Sequence, residues 1–171
     1  AWDGAWTLVV LNQLNPDLRR DTRQELEWMG FGAVAPTVRA HPGVDRAELN
    51  ASLQELGALD DAIIFQTDTH ESFAARPLRL QVREAWNLDQ LADGYRAFLE
   101  QFRPLWNQMK KQKSLPPREC CRARMLLIQE YRKLLLRDPL LPEELLPADG
   151  EGRAARQLAR NLYRLTHQGA E

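Results

Sequence analysis

The chain is short of cysteine, histidine, net charge and long apolar runs, and each shortage removes a class of function. Its two cysteines, Cys120 and Cys121, are adjacent. Neighbours in sequence rarely close a disulfide, so the reading is a reduced, cytoplasmic protein. No apolar run approaches the roughly 20 residues that span a bilayer. The opening Ala1-Trp2-Asp3-Gly4 has neither the basic region nor the apolar core of an export signal. The three histidines, His41, His70 and His167, are scattered, so a metal site is not expected. The nearest approach to one, Asp68-x-His70-Glu71, has no second His or Cys beside it and reads as a solvated loop. A Gly-rich phosphate loop, Gly-x-Ser-x-Gly and His-Glu-x-x-His are all missing, and the expectation is a protein that is not an enzyme. Lys and Arg number 23 against 24 Asp and Glu, a net charge of −1. A nucleic-acid reader is usually visibly basic, so this segment is not expected to grip DNA itself. With no initiator methionine and a strand close to its start, the sequence reads as a shortened chain.

What is present is a globular composition: 171 residues, 44% hydrophobic, 27% charged and 8% aromatic. That length holds one ordinary domain or two small ones. Trp6-Thr7-Leu8-Val9-Val10-Leu11 reads as a buried strand. Asn15-Pro16 offers an N-cap followed by proline at the first helical position. Leu18, Thr22, Leu26 and Met29 share one helical face, and Gly30 and Gly32 are expected to stop that helix. Residues 33–39 return to extended structure, with Pro36 at a bend or sheet edge. Asp45 and Glu48 have capping-box spacing before Leu49, Leu53 and Leu56, and Gly57 closes this second helix. Ala62-Ile63-Ile64-Phe65-Gln66-Thr67 is the next strand. Strand, helix, bent or paired strand, helix, strand is the ferredoxin-like plan.

From Leu78 the pattern changes. Residues 78–82 fit a strand or a helical lead-in equally well. Asn87 is expected to cap a long helix in which Leu88, Leu91, Tyr95, Phe98, Phe102, Leu105, Trp106 and Met109 recur at helical spacing. Pro104 should kink or divide it. Lys110, Lys111, Lys113 and Pro116-Pro117 mark a loop. A further helix runs to about Arg137 with Leu127, Ile128, Tyr131, Leu134 and Leu135 inward, and Cys120 and Cys121 read as small buried side chains on it. Gly152 to His167 forms the last helix, through Ala155, Leu158, Leu162 and Leu165. The predicted class is therefore α+β, a ferredoxin-like domain over 1–77 followed by an all-helical lobe over 78–171.

Several words in the sequence carry a resemblance. Ala1-Trp2-Asp3-Gly4-Ala5-Trp6 is one, and Gly30-Phe31-Gly32-Ala33-Val34-Ala35-Pro36 is a second. Others are Tyr95-Arg96-Ala97-Phe98-Leu99 and Phe102-Arg103-Pro104-Leu105. The longest is Tyr131-Arg132 followed by Leu136-Arg137-Asp138-Pro139-Leu140-Leu141-Pro142-Glu143-Glu144-Leu145-Leu146-Pro147, running on to Ala155-Arg156-Gln157-Leu158. Together they resemble the PaaX family, repressors of phenylacetic acid catabolism, over essentially the whole chain. One departure is local: the family usually has a tryptophan shortly after Leu-Leu-Pro, where this chain has Asp149-Gly150-Glu151-Gly152.

The resemblance implies a repressor in three parts. A winged helix-turn-helix before Ala1 would bind operator DNA. The middle domain is similar to the small ferredoxin-like subunit of CRISPR adaptation complexes. The helical domain would help to sense ligand and to form a homodimer, whose symmetry suits a palindromic operator. The implied effector is phenylacetyl-coenzyme A, whose binding releases DNA; no cofactor and no membrane are implied.

Coenzyme A needs cationic or N–H partners for its phosphates and an apolar slot for the phenyl group, and arginine suits phosphate because its fork donates parallel hydrogen bonds. The candidates are Arg132, Arg137, Tyr131, Arg124, Trp106, Phe102 and Tyr95, with Arg39 and His41 from the sheet lobe. Trp86 and Phe98 add to the aromatic set. Each aromatic also has a plainer reading as core, and each arginine as an ion-pair partner; Arg122 and Lys133 read as solvated. A groove between the lobes is the expected location. Two other readings stand beside sensing. One is a ligand-independent dimerising interaction module. The other is a metal-dependent nuclease of the CRISPR-subunit type, which would need an Asp at the end of the first strand, where this chain has Leu11-Asn12.

Overall fold

The computed structural model describes residues 1–68, 78–147 and 150–168. His70 and Glu71 of the polar cluster, and Asp149, lie outside the described residues. By contacts the chain divides into two compact units, Ala1–Asn87 with Pro139–Leu146, and Leu88–Asp138 with Pro147–Glu171.

In the first unit, capping chemistry sets the element boundaries. Strand β1 spans Ala5–Val10. Asn15 then accepts a hydrogen bond from the Leu18 N–H at 2.9 Å, and Pro16 opens α1, Pro16–Trp28. Thr22 and Leu26 are its buried residues. Gly30, at φ +91°, turns the chain out of the helix. The extended stretch predicted over 33–39 is two strands, β2 (Gly32–Ala35) and β3 (Val38–His41). Pro36 lies in the turn between them, where its missing N–H breaks no ladder bond. Asp45 accepts from the N–H groups of Ala47 and Glu48 and starts α2, Arg46–Leu56; Gly57, at φ +76°, closes it. Strand β4 spans Ile63–Asp68.

The strands lie in the order β2-β3-β1-β4, every neighbour antiparallel. With the β-α-β-β-α-β sequence, this is the ferredoxin-like arrangement. Val9 stands opposite Arg39 on one side and Ile64 on the other. On that face Val9, Leu11 and Ile64 pack with Leu26 of α1 and with Leu49 and Leu53 of α2.

The ambiguous segment is a helix, α3 (Leu78–Ala85). Trp86, just after it, lies against the opposite face of the sheet. Its ring centroid is 5.9 Å from that of Trp6, and its Nε1 donates to the Gly30 carbonyl at 2.8 Å. A Cβ at Gly32 would stand 2.5 Å from two indole carbons. Gly32 therefore does not stop α1 as expected; it lies in β2 and leaves room for the indole. Farther along the same face Ile63 and Phe65, 44% and 52% exposed, have no such cover among the described residues.

The second unit contains α4 (Leu88–Met109), α5 (Pro117–Leu135) and α6 (Glu151–Gln168). Asn87, before α4, is at φ +49°, a left-handed conformation that asparagine tolerates. The core joins Tyr95, Phe98, Leu99 and Phe102 to Cys120, Ala123, Leu127 and Leu134 and to Ala155, Leu158 and Leu162. Three expectations are corrected here. Helix α4 is not divided at Pro104. Proline deprives the carbonyl four residues earlier of its donor, but Pro104 and Glu100 are both exposed, on the side where water can replace it. Ile128 and Leu135 are exposed, not inward, because Leu127, Tyr131 and Leu134 already fill the inward face and the next position turns away by about 100°. Cys120 is buried but Cys121 is exposed, for the same reason.

Gly32→Ala is expected to destabilise the fold by about 1–3 kcal/mol through overpacking against Trp86. Denaturant unfolding checks this: the loss should shrink when Trp86→Ala is combined with it, and simple additivity of the two changes would contradict the contact.

Candidate functional site

The nine candidate residues fall into three environments. Tyr95 and Phe102 are core. Phe102 is fully enclosed and stacked on Phe98 at 4.5 Å. Tyr95 is buried, and its hydroxyl donates to the Asp138 carboxylate just beyond α5. Burial, and then this bond, hold the phenol above its ordinary pKa. Tyr131 is half-buried with its ring 5.5 Å from that of Phe98, so it looks inward while its neighbour Arg132 looks outward. Trp106 is half-buried, with the Lys110 ammonium 5.9 Å from its ring.

The arginines of α5, and Arg137 in the turn just beyond it, are outside the core. The Arg124 guanidinium lies over the ring of Tyr163 at 4.3 Å, a cation–π contact between α5 and α6. Arg132 and Arg137 are exposed, and among the described residues neither makes an ion pair. Arg122 is exposed, and Lys133 is exposed but pairs with Glu130 at 2.9 Å. Between these charges stand apolar side chains that sequence reasoning did not place outward: Met125 at 68% exposure, Ile128 at 49% and Leu136 at 68%. Ile128, Arg132 and the C-cap residue Leu136 follow each other at i, i+4 spacing, so the outer face of α5 and its C-terminal end alternate apolar surface with unpaired guanidinium. The signal that could have found this face was an excess of apolar residues on α5 over what one inward stripe can use.

Arg39 and His41 belong to the sheet unit. Both lie on β3, on the face that meets the helices, and Arg39 is 93% buried (7% exposed). Its Nη1 donates to the carbonyls of Ala35 and Val38 at 3.1 and 3.3 Å. Burial, and then the charge of Arg23, lower its pKa, with Glu27 acting the other way. His41 is half-buried beside Phe31, ring centroids 5.1 Å apart. Burial lowers its pKa against a hydrogen bond that the ring donates to the Met29 backbone, which raises it, and its Nδ1 is buried without a partner among the described residues. Arg23 was not a candidate from sequence; nothing in its spacing announces it.

Residues 1–82 match the description "PaaX protein central Cas2-like domain" and residues 86–171 match "PaaX-like protein C-terminal domain". The chain belongs to the PaaX family. A PaaX-family relative, the transcriptional repressor PaaX of Escherichia coli (strain K12), is 39% identical over 164 residues, which is 95% of this chain and 52% of that protein. The chain thus spans about half the length of that relative. A solved structure, the uncharacterized protein Rv0674 from Mycobacterium tuberculosis, superposes with a TM-score of 0.62 over 99% of this chain and 63% of its own, at 18% identity, and speaks to the fold alone. No helix among the described residues is long and apolar enough to cross a membrane.

Tyr95→Phe is expected to cost about 1.5–3 kcal/mol, the range for a hydrogen bond to a charged group. Because the folded state raises the phenol's pKa, stability is intact below the ordinary value of 10.0 and falls as pH rises above it. Unfolding free energies measured across alkaline pH should show that decline in the parent chain and a shallower one in Tyr95→Phe; parallel profiles would contradict the assignment.

Proposed function

We propose that this chain is the effector-sensing and dimerisation portion of a cytoplasmic transcriptional repressor of phenylacetate catabolism, that it is not an enzyme, and that phenylacetyl-coenzyme A releases the repressor from operator DNA. Family membership and the 39% identity to the Escherichia coli repressor support the regulatory part of this reading. The effector part is carried by one observation, the outer face of α5. An arylacyl-coenzyme A joins an apolar aryl group to several phosphates. Exposed Ile128 and Leu135 with unpaired Arg132 on α5, and Leu136 and Arg137 in the turn that follows, offer both chemistries along one stretch of chain. Arg124 stands on the same helix, closer to α6. Tyr95 and Phe102, buried in the bundle, support the helices rather than meet a ligand. Pairing with a second copy follows the family reading, and operator contact is assigned to a winged helix-turn-helix outside this chain.

Calorimetry on the folded chain should detect phenylacetyl-coenzyme A, and free phenylacetate should bind far more weakly because it has no phosphates. Arg132→Ala and Arg137→Ala should each lose about 1.5–3 kcal/mol of that affinity. Unchanged affinity with a lowered melting temperature would return both residues to a structural role. This chain alone, with a net charge of −1, should not retard operator DNA in a gel.

A further inference from the structure

The sheet unit sets a buried arginine, Arg39, beside a half-buried one, Arg23, and among the described residues no carboxylate pairs with either. Arg39 on β3 is 7% exposed, and its Nη1 is occupied by the Ala35 and Val38 carbonyls. Arg23 on α1 donates from Nη2 to the carbonyl of Pro36 at 3.0 Å. Both guanidiniums are therefore gathered on the same hairpin turn, between β2 and β3. The Nε of each is buried, and each lacks a hydrogen-bond partner. Neither residue makes an ion pair among the described residues. Glu27, one helical turn beyond Arg23 and exposed, is the acidic neighbour that acts on Arg39 electrostatically without touching it.

Carbonyl oxygens satisfy hydrogen bonds but supply no counter-charge. A guanidinium taken out of water is retained at modest cost only when an anion accompanies it. Arg23, half-buried on the same turn, adds like-charge repulsion, which negative charge placed between the two would relieve. The Nε edge of an arginine is half of the fork that holds an oxyanion through parallel hydrogen bonds. On these grounds we propose that Arg23 and Arg39 form an anion site at the β2–β3 turn, one that takes a small phosphate-monoester dianion. The enclosure of Arg39 favours a terminal phosphate over a nucleic-acid diester, which carries one charge and two bulky substituents. The proposal is independent of the effector reading, since it uses neither α5 nor any residue of the helical unit.

The test is an NMR titration of the full chain, following the Nε–Hε signals of its arginines while inorganic phosphate replaces chloride at constant ionic strength. Arg23→Lys and Arg39→Lys identify the two signals by their loss. Those two should move together and saturably, the other arginine signals should not, and dimethyl phosphate should produce much less. Arg23→Gln should weaken phosphate by about ten-fold or more, the equivalent of one charge-assisted bond. Glu27→Gln should tighten it by removing a competing negative charge. Should Arg39→Lys not fold, Arg23→Lys, at a half-exposed position, still identifies one signal and suffices. Signals that stay still, that drift linearly with every other arginine, or that respond equally to dimethyl phosphate would overturn the site. Loss of the phosphate response in Glu27→Gln would overturn it too.

Discussion

Helix α5 has more apolar side chains than a three-helix bundle can bury, and the chemistry proposed for the helical unit depends on how it divides them. Cys120, Ala123, Leu127 and Leu134 are buried against α4 and α6, with Tyr131 half-buried beside them. Met125, Ile128 and Leu135, with Leu136 at the C-cap, are then left facing outward. An exposed apolar patch rimmed by polar groups marks an interaction surface more often than a packing accident. Here the polar groups are arginines, and the pairing of apolar surface with unpaired guanidinium is what narrows the choice of ligand.

Most of the sheet unit was legible in the sequence, because its boundaries are set by local chemistry. Asn15 with Pro16, Asp45, and Gly57 each do in the structure what their residue type predicts, and the ferredoxin-like order follows from them. Gly32 was misread because its reason is non-local. Nothing within a few residues of it signals that an indole more than fifty positions away needs the space of its missing Cβ. The same limit applies to residues 78–82, whose alternating pattern fits either helix or strand until tertiary contacts decide.

In the helical unit the stripe of α4 was legible, and on α6 so were Ala155, Leu158 and Leu162, while buried Ala159 and Thr166 were not. On α5 the period was right and the width of the buried stripe was not. Ile128 and Leu135 each follow a buried leucine directly, and hydrophobicity alone cannot say which of two adjacent apolar residues the bundle takes. Of the candidate site, the cationic residues were legible as a group, but their sorting was not. Arg124 rests on Tyr163, Arg132 and Arg137 are free among the described residues, and Arg39 is enclosed on the sheet. These distinctions arise from partners contributed by other elements, which a single sequence does not order.

The two positive features therefore rest on opposite physics. On α5 the guanidiniums are wet and cheap to keep, and they gain value only from an incoming ligand. At the hairpin turn the guanidinium of Arg39 is dry, and a counter-charge there would offset the cost of its burial. The measurement that bears most directly on sensing by the helical unit is backbone hydrogen exchange of the chain with and without phenylacetyl-coenzyme A. Added protection is expected along residues 117–135 of α5. Protection confined to the sheet unit, or none anywhere while the ligand is bound, would contradict it.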